Sequence, residues 1–186
     1  MDDNLRDKTR QLHRVNRLLW LSILSGIIIL NVVAFIFHEF RLISPPYLTN
    51  LALFLNLLLI IALILLFLVI YIKRNYLTPE KLVERARVRN LQITSPDVDD
   101  LVKNLGEKAV WLLKAMIIMR RYFMVIWSIA NLIVLIGFIS YIITLNLETF
   151  FIYSIVGLYS LAINFPRFAL IESCYHRIDI NEVEDE

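Results

Sequence analysis

From Leu51 to Ile72 the chain reads LALFLNLLLIIALILLFLVIYI, without a charge, a proline or a glycine. As an α-helix rising about 1.5 Å per residue, it is roughly 30 Å long, the thickness of a bilayer's hydrocarbon core. In hydrocarbon every backbone N–H and C=O must be bonded within the chain, and a single helix achieves this alone. A membrane span over this stretch is the expectation from which the rest follows.

Three more uncharged stretches flank it. Leu18 to Phe37 is long enough to cross once, with Trp20 where an indole favours the interface, and His38, Glu39 and Arg41 mark its exit. Ser44-Pro45-Pro46 then forbids continued helix, because neither proline can donate a backbone hydrogen bond. Tyr122 to Leu147 makes a third span, and Asn146-Leu147-Glu148-Thr149 a tight turn into a fourth, Phe150 to about Phe165, the shortest and most polar of the set. The expected fold class is an all-α integral membrane protein: four transmembrane helices in two antiparallel hairpins, with a helical cytoplasmic loop between spans two and three. Hydrophobic residues make up 59% of the chain, more than the roughly half usual in soluble domains.

Five segments follow: a basic lead-in over 1–17, a first hairpin over 18–73, a charged loop over 74–121, a second hairpin over 122–171, and an acidic tail over 172–186 whose closing run, Asn181 to Glu186, should be mobile and solvated. The lead-in places Leu5, Leu12 and Val15 at rough helical spacing, which reads as an amphipathic helix on the membrane surface or else as an unstructured basic tail. It is too charged for a signal peptide, and the apolar segment after it has no small-x-small cleavage site, so span one should be retained. In the loop, Thr78-Pro79-Glu80 and Ser95-Pro96-Asp97 each set a capping hydroxyl before proline and an acid in the first turn. The second of these helices carries an apolar stripe through Val98, Leu101, Val102, Leu105, Ala109 and Leu112, and nothing but Gly106 weakens its continuation into span three. Laying residues 8–37 over 114–143 pairs Lys8 with Lys114, Arg14 with Arg120 and Ser22 with Ser128, a faint sign of duplication that apolar sequences also give by chance.

Basic residues set the orientation. Five precede span one, eleven lie between spans two and three, and two follow Phe165, whereas the opposite turns hold only Arg41. The positive-inside rule then puts both termini and the long loop in the cytoplasm, in an inner or plasma membrane. The net charge of +2, with six acids among the loop's eleven bases, argues against a nucleic-acid partner.

The spans carry no ionisable group at depth, which removes the usual relay of an ion-coupled transporter. A haem would need histidines facing one another at one depth, but His13 and His176 sit on one side and His38 on the other. Asp97, Asp99 and Asp100 are explained by a helix dipole without a metal ion. Cys174 stands alone, and no nucleophile–base arrangement or glycine-rich phosphate loop is present, so neither cofactor nor metal nor enzymatic activity is expected.

Association remains. Asn31, Asn56 and Asn131 are strong polar groups in apolar surroundings; by depth Asn31 should meet Asn56 across the first hairpin, and Asn131 should lie opposite Tyr159 or Ser160. Ser22 and Gly26, four residues apart, would admit another helix at close range. Arg85, Arg89, Leu101 and Leu105 offer a charged rim and apolar centre for docking a cytosolic or membrane protein partner. The functional expectation is a non-enzymatic anchor or sensor subunit. Its rivals are a homo-oligomeric pore lined by Tyr159, Ser160 and Asn164, and an accessory chain of a redox or transport complex.

Overall fold

The computed structural model describes residues 3–46, 50–88 and 96–185, with side chains over 5–46, 50–88 and 108–180. Every regular element among them is helical: α1 Asp3–Glu39, α2 Leu51–Tyr76, α3 Pro79–Val88, α4 Pro96–Thr144, α5 Leu147–Ile163 and α6 Phe168–Asp185. Four helical stretches are long and apolar enough to cross a membrane: Leu5–Glu39, Leu51–Tyr76, Lys108–Thr144, and Leu147–Ile180, the last broken between α5 and α6.

The ends of these helices follow from local chemistry. At the end of α1, Arg41 adopts a left-handed φ of 49°, and the N–H groups of Arg41 and Leu42 return to the carbonyls of His38 and Phe37. This pattern ties off two carbonyls that helix termination would leave unbonded. Pro79 opens α3 where its missing N–H costs nothing, and Thr78 C=O accepts the first helical bond from Leu82 at 3.0 Å. As its stripe implied, α4 runs unbroken for 49 residues, through Gly106, whose cost of about 1 kcal/mol is too small to stop a helix held by packing. Leu145 reverses the chain at φ 54°, and Asn146 Oδ1 then accepts from Thr149 N at 3.1 Å to cap α5.

The chain divides into two compact units. The first comprises Met1–Leu18, Ile72–Met124 and Pro166–Glu186; the second comprises Leu19–Tyr71 and Val125–Phe165. Of the 19 basic and 17 acidic side chains, only Glu39, Arg41 and Glu148 fall in the second unit.

The first unit has its own core. Leu82, Val83 and Ala86 of α3 are buried where α3 packs on α6, whose Ile171, Cys174 and Ile178 are buried at three- and four-residue steps. Leu112, Met116, Met119 and Phe123 of α4 are buried in the same unit. Residues 172–180 thus belong to a helix with an apolar stripe; the side chains of the acidic run from Asn181, expected to be solvated, lie outside those described. The lead-in is helical as one expected alternative had it, and continuous with the first apolar segment. The face it buries is Leu5, Thr9 and Asn16, while Val15 stays exposed, so the stripe read through Leu12 and Val15 is not the buried one.

In the second unit most buried side chains come from α4 and α5, joined by Ile27 and Ala34 of α1. Ile126, Trp127, Ala130, Ile133, Val134 and Tyr141 are buried on one side, Phe150, Ser154, Gly157 and Leu161 on the other. Tyr153 lies against Gly137, and Val134 and Ala130 lie against Gly157, so numbers fall along α4 as they rise along α5. A Cβ at Gly137 would sit 2.4 Å from Tyr153 Cβ, and one at Gly157 2.4 Å from Val134 Cγ2. Only glycine permits backbones this close. By contrast, 11% of the apolar window in α1 and 17% of that in α2 are buried, against 56% in α4.

Candidate docking surface and polar contacts

A set of polar contacts organises the second unit, and most arise from one problem. Pro166 has no N–H to donate, and α5 ends at Ile163, so the carbonyls of its last turn need other partners. Asn164 Nδ2 donates to Ser160 O at 2.7 Å, Trp20 Nε1 to Leu161 O at 3.0 Å, and the Asn164 and Phe165 amides to Ala162 O. Trp127 Nε1 donates to Asn164 O at 3.0 Å. Each indole thereby bonds a carbonyl left exposed by the break. Trp20, expected as an interfacial anchor, is bonded to α5 and meets Phe165 edge to face at 5.0 Å.

Deeper in the unit, Asn31 does not reach Asn56. Its amide exchanges two hydrogen bonds with Ser154, Nδ2 donating to Oγ at 2.7 Å while Oγ–H donates back to Oδ1 at 2.9 Å, and Nδ2 also bonds Ile27 O. Position along a helix leaves its rotation about the axis free, and the rotation selects Ser154. Asn56 is exposed instead, on a face with Leu53, Leu57, Ile60 and Phe67.

The other expected pair is also redistributed. Asn131 is half-buried, Tyr159 is 66% exposed, and Ser160 is buried with no hydrogen-bond partner for its hydroxyl. Ala130 and Val134, not Asn131, face α5 at Gly157. Tyr159, Ser160 and Asn164 therefore do not share one face: the first points outward while Ser160 and Asn164 are within the unit. Ser22 and Gly26 are exposed, with open space around Gly26, so none of the described helices uses that notch.

In the first unit, Arg85 is already engaged. Its guanidinium stacks 4.1 Å from the Tyr76 ring and 5.6 Å from Tyr122, and Nη1 donates to Tyr122 Oη at 2.7 Å. The two rings lie 5.0 Å apart, so one planar cation pins the ends of α2 and α3 to the middle of α4. An arginine held this way is poorly placed to recruit a partner. Arg87 stacks on Trp111 at 4.8 Å, and Lys108 bonds Asp179 at 2.7 Å, joining α4 to α6. Arg89 lies outside the described residues; Leu101 and Leu105 lie within α4, their side chains outside those described.

The electrostatics of this unit are those of packing. Burial and the neighbouring Arg17 push the His13 imidazole below its ordinary pKa, and burial with Arg167 lowers Lys73. The hydrogen bond and charge of Lys108 hold Asp179 below the usual carboxylate range. Burial, assisted by the charge of Glu80, pushes the Cys174 thiol up to about 12, so it stays protonated and unreactive at neutral pH. No cluster of three potential metal ligands occurs among the described residues.

Ser154, Trp127 and Gly157 carry contacts that spacing and composition did not single out. The signals present were the scarcity of glycine, four in the chain, and the proline that forces donors onto α5. Neither a family model, nor a curated protein, nor a solved structure matches the chain.

Proposed function

We propose that the chain is a four-span protein of a cytoplasmic membrane, built as two helical hairpins with both termini inside, whose work is to hold a protein partner at that membrane. The distribution of basic residues supports this orientation, and the near-absence of charge from the second unit supports its immersion in lipid.

Asn56 carries the reading. An amide on an outward apolar face of a span is costly in lipid, and the usual remedy is a hydrogen bond to a polar group on another helix. Asn31 has satisfied itself within the chain; Asn56 has not been buried by it. A partner with a transmembrane helix would bond Asn56, and the stripe of Leu101 and Leu105 would hold its cytosolic part. The pore reading is less well supported, because Ser160 and Asn164 are committed inside the unit.

Co-purification from native membranes in mild detergent tests this. Asn56→Leu should lose the partner's membrane part, and Leu101→Asp with Leu105→Asp its cytosolic part, while all four spans still insert. Retention of every partner by both variants, or recovery of the chain alone from wild type, would overturn the anchor.

A further inference from the structure

At the end of the second unit where α1 and α4 terminate lies a cleft of about 590 Å³, within the range of small-ligand sites. His38, Glu39, Arg41, Ser44 and Tyr141 line it, with Phe37 on its apolar side. Three features distinguish it from an ordinary surface dent. The Tyr141 hydroxyl is fully buried and has no hydrogen-bond partner, although buried phenols usually find one. The His38 and Tyr141 rings are neighbours, 6.3 Å apart, and both residues line the cleft. Arg41 is fixed at its rim by a left-handed backbone that two hydrogen bonds tie to the helix end.

The rim is charge-balanced. Arg41 and Glu39 are two of the three charged residues in the whole unit, and both stand at this one cleft. A lone anion would meet the carboxylate as well as the guanidinium, and a lone cation the reverse. A zwitterion of matching span meets each with its opposite. A phosphate would accept from the Arg41 guanidinium, the Tyr141 hydroxyl and the His38 ring, and a primary ammonium would donate to Glu39. Phe40 and Leu42, both exposed beside the rim, give an adjoining apolar surface for acyl chains.

We propose that this cleft binds a phosphate–ammonium zwitterion, presented as the headgroup of a phosphatidylethanolamine at the membrane surface. A divalent cation does not fit, since His38 and Glu39 alone would supply its protein ligands. Free phosphoethanolamine shares the recognised chemistry and is separated from the lipid by the experiment.

The test uses the full-length chain in detergent micelles, carrying Ser44→Cys as a reporter in the cleft wall. Cys174, buried and held protonated, does not compete for reagent. The rate of maleimide labelling is followed against dihexanoyl phosphatidylethanolamine, dihexanoyl phosphatidylglycerol and phosphoethanolamine. The expected result is protection by the ethanolamine lipid at about tenfold lower concentration than by the glycerol lipid, a difference that one charge-assisted contact supplies. Tyr141→Phe should weaken protection about tenfold, and Glu39→Gln should abolish the preference between the two lipids without needing the buried tyrosine to be altered. Phosphoethanolamine protecting as well as the lipid would reassign the ligand to a soluble zwitterion and overturn the lipid assignment. Equal protection by both lipids, or none by either, would overturn the site.

Discussion

Adding one methyl group at Gly137 should loosen the second unit more than the same change at Gly26 or Gly157. The new Cβ would stand 2.4 Å from Tyr153 Cβ and 2.9 Å from its Cγ, whereas ordinary contact begins at 3.4 Å. A Cβ moves only with its backbone, so α4 and α5 would have to part by roughly 1 Å along this line. At Gly157 the obstacles are Val134 Cγ2 at 2.4 Å and the Ala130 carbonyl oxygen at 2.9 Å; the methyl can rotate away, the carbonyl cannot. Overpacking of this kind costs about 1–3 kcal/mol, and the better helix propensity of alanine returns up to about 1 kcal/mol. The net loss should be about 1–2 kcal/mol for Gly137→Ala and about 1 kcal/mol for Gly157→Ala. Gly26 is the internal control, since nothing lies within 4 Å of its added carbon. Gly26→Ala keeps the propensity gain without the clash and should be neutral or stabilising by up to about 1 kcal/mol. Reversible unfolding by dodecyl sulfate in mixed micelles, read through the fluorescence of Trp20, Trp111 and Trp127, measures all three. Equal stability of the three variants would refute the close approach of α4 to α5.

Two further outcomes follow from named contacts. Asn31→Leu and Ser154→Ala should each cost about 0.5–1.5 kcal/mol and the double variant clearly less than their sum, whereas Asn56→Leu should leave the unfolding of the purified chain nearly unchanged; strict additivity of the first pair would mean the two do not bond. His13 has a folded-state pKa below its unfolded value, so the unfolded chain binds its proton first as pH falls: stability should be full above about pH 7 and decline below about 6.5, and His13→Gln should flatten that slope in a pH series of unfolding midpoints; a slope unchanged by the substitution would remove His13 as its cause.

The apolar segments were legible in the sequence because charge in hydrocarbon is so costly that twenty residues without one mark a span. The starts of α3 and α4, at Pro79 and Pro96, were legible too, whereas Leu147 to Thr149, read as part of a tight turn, already belong to α5. What could not be read was pairing at long range. Asn31, Asn56 and Ser154 were all available as partners, and the choice among them depends on the rotation of each helix about its axis. The burial of α6 was obscured differently: its acids drew attention to solvent, although Ile171, Cys174 and Ile178 already stood at helical spacing. Arg85 looked like a docking cation because a charge in a loop usually faces water; two tyrosines from neighbouring helices gave it a better place.

The topology itself is tested most directly by single cysteines at Thr49, Asn146, Ser95 and Asn181, treated in intact cells with a membrane-impermeant maleimide. Cysteines at Thr49 and Asn146 should label from outside, and those at Ser95 and Asn181 should label only after the membrane is opened. Labelling at Ser95 or Asn181 in intact cells would contradict a four-span chain whose charged unit faces the cytoplasm.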